Sequence, residues 1–179
     1  GNSVLGKNIT DLASSIYVSK INNLLPKLEE YYLAQYCKFW ENIIKDVKIT
    51  PAAGLIAIDQ LIVAMLQNHK ALLGFADAIY FNTNLAKIDN CSDLLMKFNT
   101  FMGQQISQDN NAFAGLLIDF YKLHDLLEHN INNPLSSDRN EVIKLSKNIK
   151  RTANTYPEPF KTWVNTIVYN LEQSLGVAQ

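Results

Sequence analysis

Every periodic stretch of this sequence spaces its large apolar side chains three and four residues apart, and none alternates them at intervals of two. From Lys27 to Val47 the series is Leu28, Tyr32, Tyr36, Phe39, Trp40, Ile43, Ile44 and Val47, which is one face of a helix of about 3.6 residues per turn. The same spacing returns in Leu72, Leu73, Ala76, Ile79 and Tyr80, in Leu94, Leu95, Phe98 and Phe101, and in Phe113, Leu116, Leu117, Phe120, Leu123 and Leu127. It closes the chain in Val142, Leu145, Ile149 and Ala153 and in Phe160, Trp163, Val164, Ile167, Val168, Leu171 and Leu175. Only 7 glycines and 5 prolines occur among 179 residues, too few to turn the strands of a sheet. The expectation is all-α: a bundle of about six to eight helices forming a single domain over 1–179, with 84–110 the place where it would subdivide.

Local signals set the expected boundaries. Pro26 suits the first turn of the Lys27 helix and predicts a break after the weaker, more polar Ile9–Leu25 segment. Thr50-Pro51 reads as an N-cap followed by proline at the first helical position. It would open Ala52–Gln67, a nearly all-apolar helix suited to the centre of a bundle, with Trp40 packed against it in the core. A helix from His69 to about Phe81 should stop in Asn82-Thr83-Asn84, and Ser92 should cap another from Asp93 to Met102. The polar run Gly103–Asn111 reads as a loop, after which Asp109 or Asn110 opens a helix to about His129, ended by Asn132-Asn133-Pro134. Ser136 or Ser137 caps the next helix, Pro157-Glu158-Pro159 separates it from the last, and Gly176 suits the left-handed position that follows a helix.

Charge and composition exclude several classes. Lys and Arg total 16 against 17 Asp and Glu, a net charge of -1, which gives no electrostatic footprint for nucleic acid. The most apolar run, Ala52–Leu66, is short and holds Asp59 and Gln60, so no direct membrane span is expected in this segment. The N-terminus has neither an initiator Met nor a signal-type apolar run, and reads as the edge of a segment from a longer protein. Cys37 and Cys91 are too few and too far apart for a zinc ribbon or a Cys-x-x-Cys pair. Free buried thiols are favoured over a disulfide.

Catalytic chemistry has one candidate. In His124-Asp125-Leu126-Leu127-Glu128-His129 the pairs His124/Glu128 and Asp125/His129 each lie four apart on a helix. A metal-dependent hydrolase using His124, Glu128 and His129 is the alternative reading. The inverted zinc-protease pattern, however, needs one residue fewer between its first His and the Glu, and the extra residue turns that imidazole about 100° away. Salt bridges at a helix end are the simpler account, and His69 reads as a polar surface residue. No phosphate-binding glycine loop and no Gly-x-Ser-x-Gly elbow occurs. The expectation is therefore a non-enzymatic chain with no catalytic, cofactor-binding or metal residues and no cofactor. Two rings on adjacent positions cannot share one face, so Tyr31 or Phe39 is placed at the margin of the aromatic stripe, where it could meet another part of a larger assembly.

The spacing of Tyr32, Tyr36, Trp40, Ile43, Ile44, Asp46, Val47, Ile49 and Pro51 resembles a signature of the IcmF family, called TssM in type VI secretion. Three further stretches agree in order: Val4-Leu5-Gly6, with Ser3 where the family has tryptophan; Asn82-Thr83-Asn84-Leu85; and Pro157-Glu158-Pro159-Phe160-x-x-Trp163. The resemblance implies the helical part of the periplasmic region of an inner-membrane scaffold protein from a Gram-negative bacterium. The Asn, Ile and Lys bias favours a type IVB (Dot/Icm) system over type VI. Implied partners are a DotU/IcmH- or TssL-like protein and outer-membrane or periplasmic components. The residues carrying the resemblance, Tyr32, Tyr36, Trp40, Asp46, Pro51, Thr83, Pro157, Pro159 and Trp163, are expected to be structural.

Overall fold

The computed structural model describes residues 2–85, 88, 91–108, 111–134 and 137–177, with the backbone alone at 2–5 and 7. Among these residues the fold has seven α-helices: α1 (Asn2–Asp46), α2 (Leu55–Gln67), α3 (His69–Thr83), α4 (Asp93–Ser107), α5 (Ala114–Asn132), α6 (Asp138–Ala153) and α7 (Phe160–Ser174). Among the described residues there is no strand. The protein is an all-α multi-helix bundle.

The last helix shows how pattern becomes core. Phe160, Trp163, Val164, Ile167, Val168 and Leu171 are all buried, as the three-and-four spacing requires. Phe160 sits at the hub of an aromatic cluster, with ring centres 4.6 Å from Phe113, 5.4 Å from Trp163 and 6.1 Å from Phe98. Helix α5 packs between α2 and α6, α7 lies against α6 and α2, and α3 pairs with α4. The inner faces of α2 (Ile58, Ile62, Leu66), α5 (Leu116, Phe120, Leu123, Leu127) and α6 (Val142, Ile149, Ala153) meet there. Beyond the C-terminus of α7, Gly176 adopts φ 67°, and the amide of Val177 bonds back to the Glu172 carbonyl at 3.0 Å.

Several boundaries fall elsewhere than the sequence predicts. The chain does not break at Pro26: α1 runs unbroken through it for 45 residues, about 67 Å. Proline removes one rung of the helical ladder, but here the ring is exposed, so the carbonyl it leaves free faces water. Helix α2 opens at Leu55 rather than after Pro51. Gly54, at φ 86°, turns the chain into it, its N–H donating to Ser174 Oγ at 3.1 Å and its carbonyl accepting from Ile58 N–H at 3.1 Å. Residues 47–53 instead cross from α1 to α2 outside any helix.

Helix α4 continues through Gly103 to Ser107, so most of the expected polar loop is helical. Asn99 and Met102 are buried beneath it, and a Cβ at Gly103 would lie 3.4 Å from Tyr80 Oη, the place where α3 approaches closely. Ser92 does cap this helix, accepting from Leu95 N–H at 3.1 Å. The other proposed openings, Asp109, Asn110 and Ser136, lie outside the described residues. Ser137 occupies the N-cap position of α6 without a side-chain capping bond.

Trp40 is only partly buried, and its helix packs on α3 and α4 rather than in the core against α2. Of the stripe expected to face inward, Ile44 is buried and Ile43 partly so, whereas Leu28, Tyr32, Phe39 and Val47 are exposed. The buried cysteine face, absent from that stripe, is the true contact: Cys37 is 3% exposed.

Candidate docking surface

Among the described residues α1 packs on the body through its C-terminal third, and specific bonds clamp it there. Cys37 and Cys91 form a disulfide with a Cα separation of 6.5 Å, correcting the preference for free thiols. Tyr36 Oη donates to the Asn82 carbonyl at 2.7 Å. Ser92 Oγ, already accepting from Leu95 N–H, donates to Glu41 Oε1 at 2.6 Å, so a single hydroxyl caps α4 and holds α1. Six residues further along, just past the end of α1, Trp163 Nε1 donates to the Val47 carbonyl at 3.0 Å across 116 residues of sequence, while its ring stacks on Phe75.

These clamps place the residues singled out in the sequence. Tyr36 lies against the end of α3, where Thr83 is fully buried. The single hydroxyl proton of Thr83 is within reach of the Ile79 carbonyl (2.8 Å) and Asn99 Oδ1 (2.9 Å), and Asn99 Nδ2 returns a bond to the Thr83 carbonyl at 2.9 Å. That pair fixes α3 against α4. Pro159 and Trp163 are buried and Pro157 is half-buried. Pro159 and Trp163, with Ile44, Val47, Ile49 and Pro51, bring the segments 44–51 and 158–166 to the two walls of one mainly apolar groove of about 420 Å³, which Pro157 does not line. Asp46 and Tyr32 are exposed, Tyr32 at 68%, and hold nothing in the body. Trp40 makes edge contacts with Tyr36 and Phe39, and its buried Nε1 has no partner. Gly6 is exposed, and the side chains of Val4 and Leu5 lie outside the description.

Before Leu33, α1 leaves the body. Ile9, Leu12, Ile16, Tyr17, Val18, Ile21, Leu24, Leu25, Leu28, Tyr31 and Tyr32 are each about half exposed or more. At the root of this arm, Leu25, Leu28, Tyr32, Leu33, Tyr36 and Leu85 border an open groove of about 850 Å³. The sequence places Tyr31 or Phe39 at a margin but assigns the stripe itself to the core. The signal that could have exposed the error is the absence of a second apolar segment of matching length to cover it.

The histidine cluster disperses. His124 Nδ1 lies 2.7 Å from Asp59 Oδ1 on α2, and His129 Nδ1 hydrogen-bonds Asp138 at the start of α6, while Glu128 is exposed. The two imidazoles thus face different helices. Among the described residues no three His, Cys, Asp or Glu side chains are grouped as a metal site. His69 Nδ1 lies 2.7 Å from the Leu66 carbonyl at the α2–α3 turn.

The Asp59 hydrogen bond and charge raise the His124 pKa above its ordinary value, against the opposing effect of burial, and Glu128 and Asp125 add to the rise. A raised folded-state pKa means that the pair's contribution is complete below the unfolded value of 6.5 and is lost as pH climbs through the folded value. The stability advantage of wild type over Asp59→Asn should accordingly be larger near pH 5.5 than near pH 8.5, measured by urea unfolding. An advantage that is equal at both would mean that the imidazole stays neutral.

The fold is that of a helical bundle carrying a long projecting helix. No family model, no curated protein and no solved structure matches the chain. Among the described residues no helix is long and apolar enough to cross a membrane.

Proposed function

We propose that the chain is a non-enzymatic scaffold module of a bacterial secretion system's inner-membrane complex, of the IcmF (TssM) kind. In this reading it works in the periplasm, in a type IVB rather than a type VI machine, with a DotU/IcmH- or TssL-like protein and outer-membrane or periplasmic components as partners. The observation that carries the docking role is α1: a helix clamped to the body over its last third and otherwise bearing uncovered apolar side chains. The stretches behind the family resemblance support the rest. The 36–51 segment touches both of the others, 82–84 through Tyr36 and 157–163 through Val47, as structural elements of one module would.

In the organism that makes it, in-frame removal of the coding sequence for residues 2–177 should abolish secretion while the remaining product still reaches the inner membrane. Point changes at His124, Glu128 and His129 should leave secretion intact. Normal secretion after the deletion would overturn the proposal, and loss of secretion in the point variants with the fold preserved would restore the hydrolase reading.

A further inference from the structure

Between Tyr17 and Tyr32 the exposed arm segregates its side chains completely. With Ile21 and Leu28 at position a of a heptad, Tyr17, Leu24 and Tyr31 fall at d and Val18, Leu25 and Tyr32 at e. The other eight residues, Ser19, Lys20, Asn22, Asn23, Pro26, Lys27, Glu29 and Glu30, are polar or proline. Pro26 occupies f, on the side opposite the seam, so the proline leaves the apolar stripe continuous. The eight apolar side chains are between 50% and 68% exposed. By helical rotation the stripe points about 140° away from Leu33, Cys37, Trp40 and Ile44, the residues that face the body. The body comes near the stripe at its root, where Leu85 borders the groove with Leu25, Leu28 and Tyr32; the packed helices lie on the other side.

We infer that the arm is a self-association element, in which the 17–32 stripe packs in parallel against the same stripe of a second copy of this chain. The stripe is large enough to pair: its eight residues expose on the order of 900 Å² in all, more than the apolar patches monomers usually leave open, and the roughly 800 Å² per partner buried in a stable interface falls within that total. The charges choose the direction. Lys20 and Lys27 both lie at g. In an antiparallel pair g faces g, bringing lysines of the two copies together. In a parallel pair g faces e, so Lys20 lies over the second copy's Leu25 and Lys27 over its Tyr32. The lysine stems then cover apolar surface while their ammonium groups stay in water, and Lys27 gains a ring face. Glu29 and Glu30, at b and c, lie outside the seam. The inference does not depend on the secretion reading, because it rests on the pattern, exposure and charge of the arm alone.

The test is sedimentation equilibrium on the 179-residue protein. At micromolar concentrations the mass should be twice the 20.2 kDa of one chain, and Leu24→Glu combined with Leu28→Glu should return it to one chain mass. Both leucines are exposed in the single chain, so the body should stay folded in that variant, as read from the tryptophan bands of the near-UV circular dichroism, because Trp40 and Trp163 lie outside the seam whereas Tyr17, Tyr31 and Tyr32 belong to it. Tyr31→Cys, with the Cys37–Cys91 bond intact, should cross-link two copies on oxidation, because d meets d in a parallel pair. In an antiparallel pair centred on Leu24 the two sites would be about 20 Å apart. A monomeric wild type, a dimer indifferent to the Leu24/Leu28 change, or a dimer that Tyr31→Cys fails to cross-link each overturns the inference. A monomer that binds phosphatidylglycerol vesicles through the arm also overturns it and assigns the stripe to a membrane surface.

Discussion

Replacing Trp163 with alanine should lower stability by about 3 to 5 kcal/mol, the range for removing a buried aromatic from a packed core. Its indole is 6% exposed, stacks on Phe75 and contacts Phe160, so its loss opens a cavity beside the hub of the aromatic cluster. The change also strips the Val47 carbonyl of its donor and loosens the exit from α1. Trp163→Phe keeps much of the ring contact but not that bond and should cost less. Trp40→Ala should cost about 1 to 2 kcal/mol, because that ring is half-buried and its N–H has no partner to lose. Urea unfolding of the three variants checks the order. Equal losses at Trp40 and Trp163 would contradict the assignment of one to the margin and the other to the core.

Removing the disulfide should have an effect of similar size through a different state. Cys37 and Cys91 are 54 residues apart in sequence, and closing a loop of that length restricts the unfolded chain by about 4 kcal/mol in the chain-entropy account. Cys91→Ser should therefore unfold at markedly lower urea than wild type. A reducing agent should bring wild type down to the variant and leave the variant unmoved. If the reductant shifts both equally, or neither, the bond does not form in solution.

Elements whose fate is decided by neighbours in sequence were legible. Helix α7, the Ser92 cap, the Asn132-Asn133-Pro134 stop and Gly176 all follow from periodicity or local hydrogen bonding, and each lies where that chemistry puts it. Elements decided by the surroundings were not. Whether Pro26 ends a helix depends on whether water can reach the carbonyl it frees, which requires knowing that this part of α1 is exposed. Dividing the chain there also split the heptad pattern of 17–32 across two supposed helices. The partners of His124 and His129 lie on α2 and α6, so spacing within α5 could not identify them. Polar residues at Gly103–Ser107 resembled a loop because they cover the outer side of a helix whose inner side ends in Met102.

A helix held at one end is mechanically a lever. The clamped part of α1, Leu33 to Ile44, spans about 17 Å, and the free part before it spans about 47 Å, so a displacement of about 1 Å across the clamp swings the tip by about 3 Å. The disulfide, the Tyr36 bond and the Ser92–Glu41 bond all act within the short side of that ratio. Small changes in how α3 and α4 seat against Cys37 are thus amplified at Asn2, and a load applied to the tip reaches the body magnified at the same three bonds.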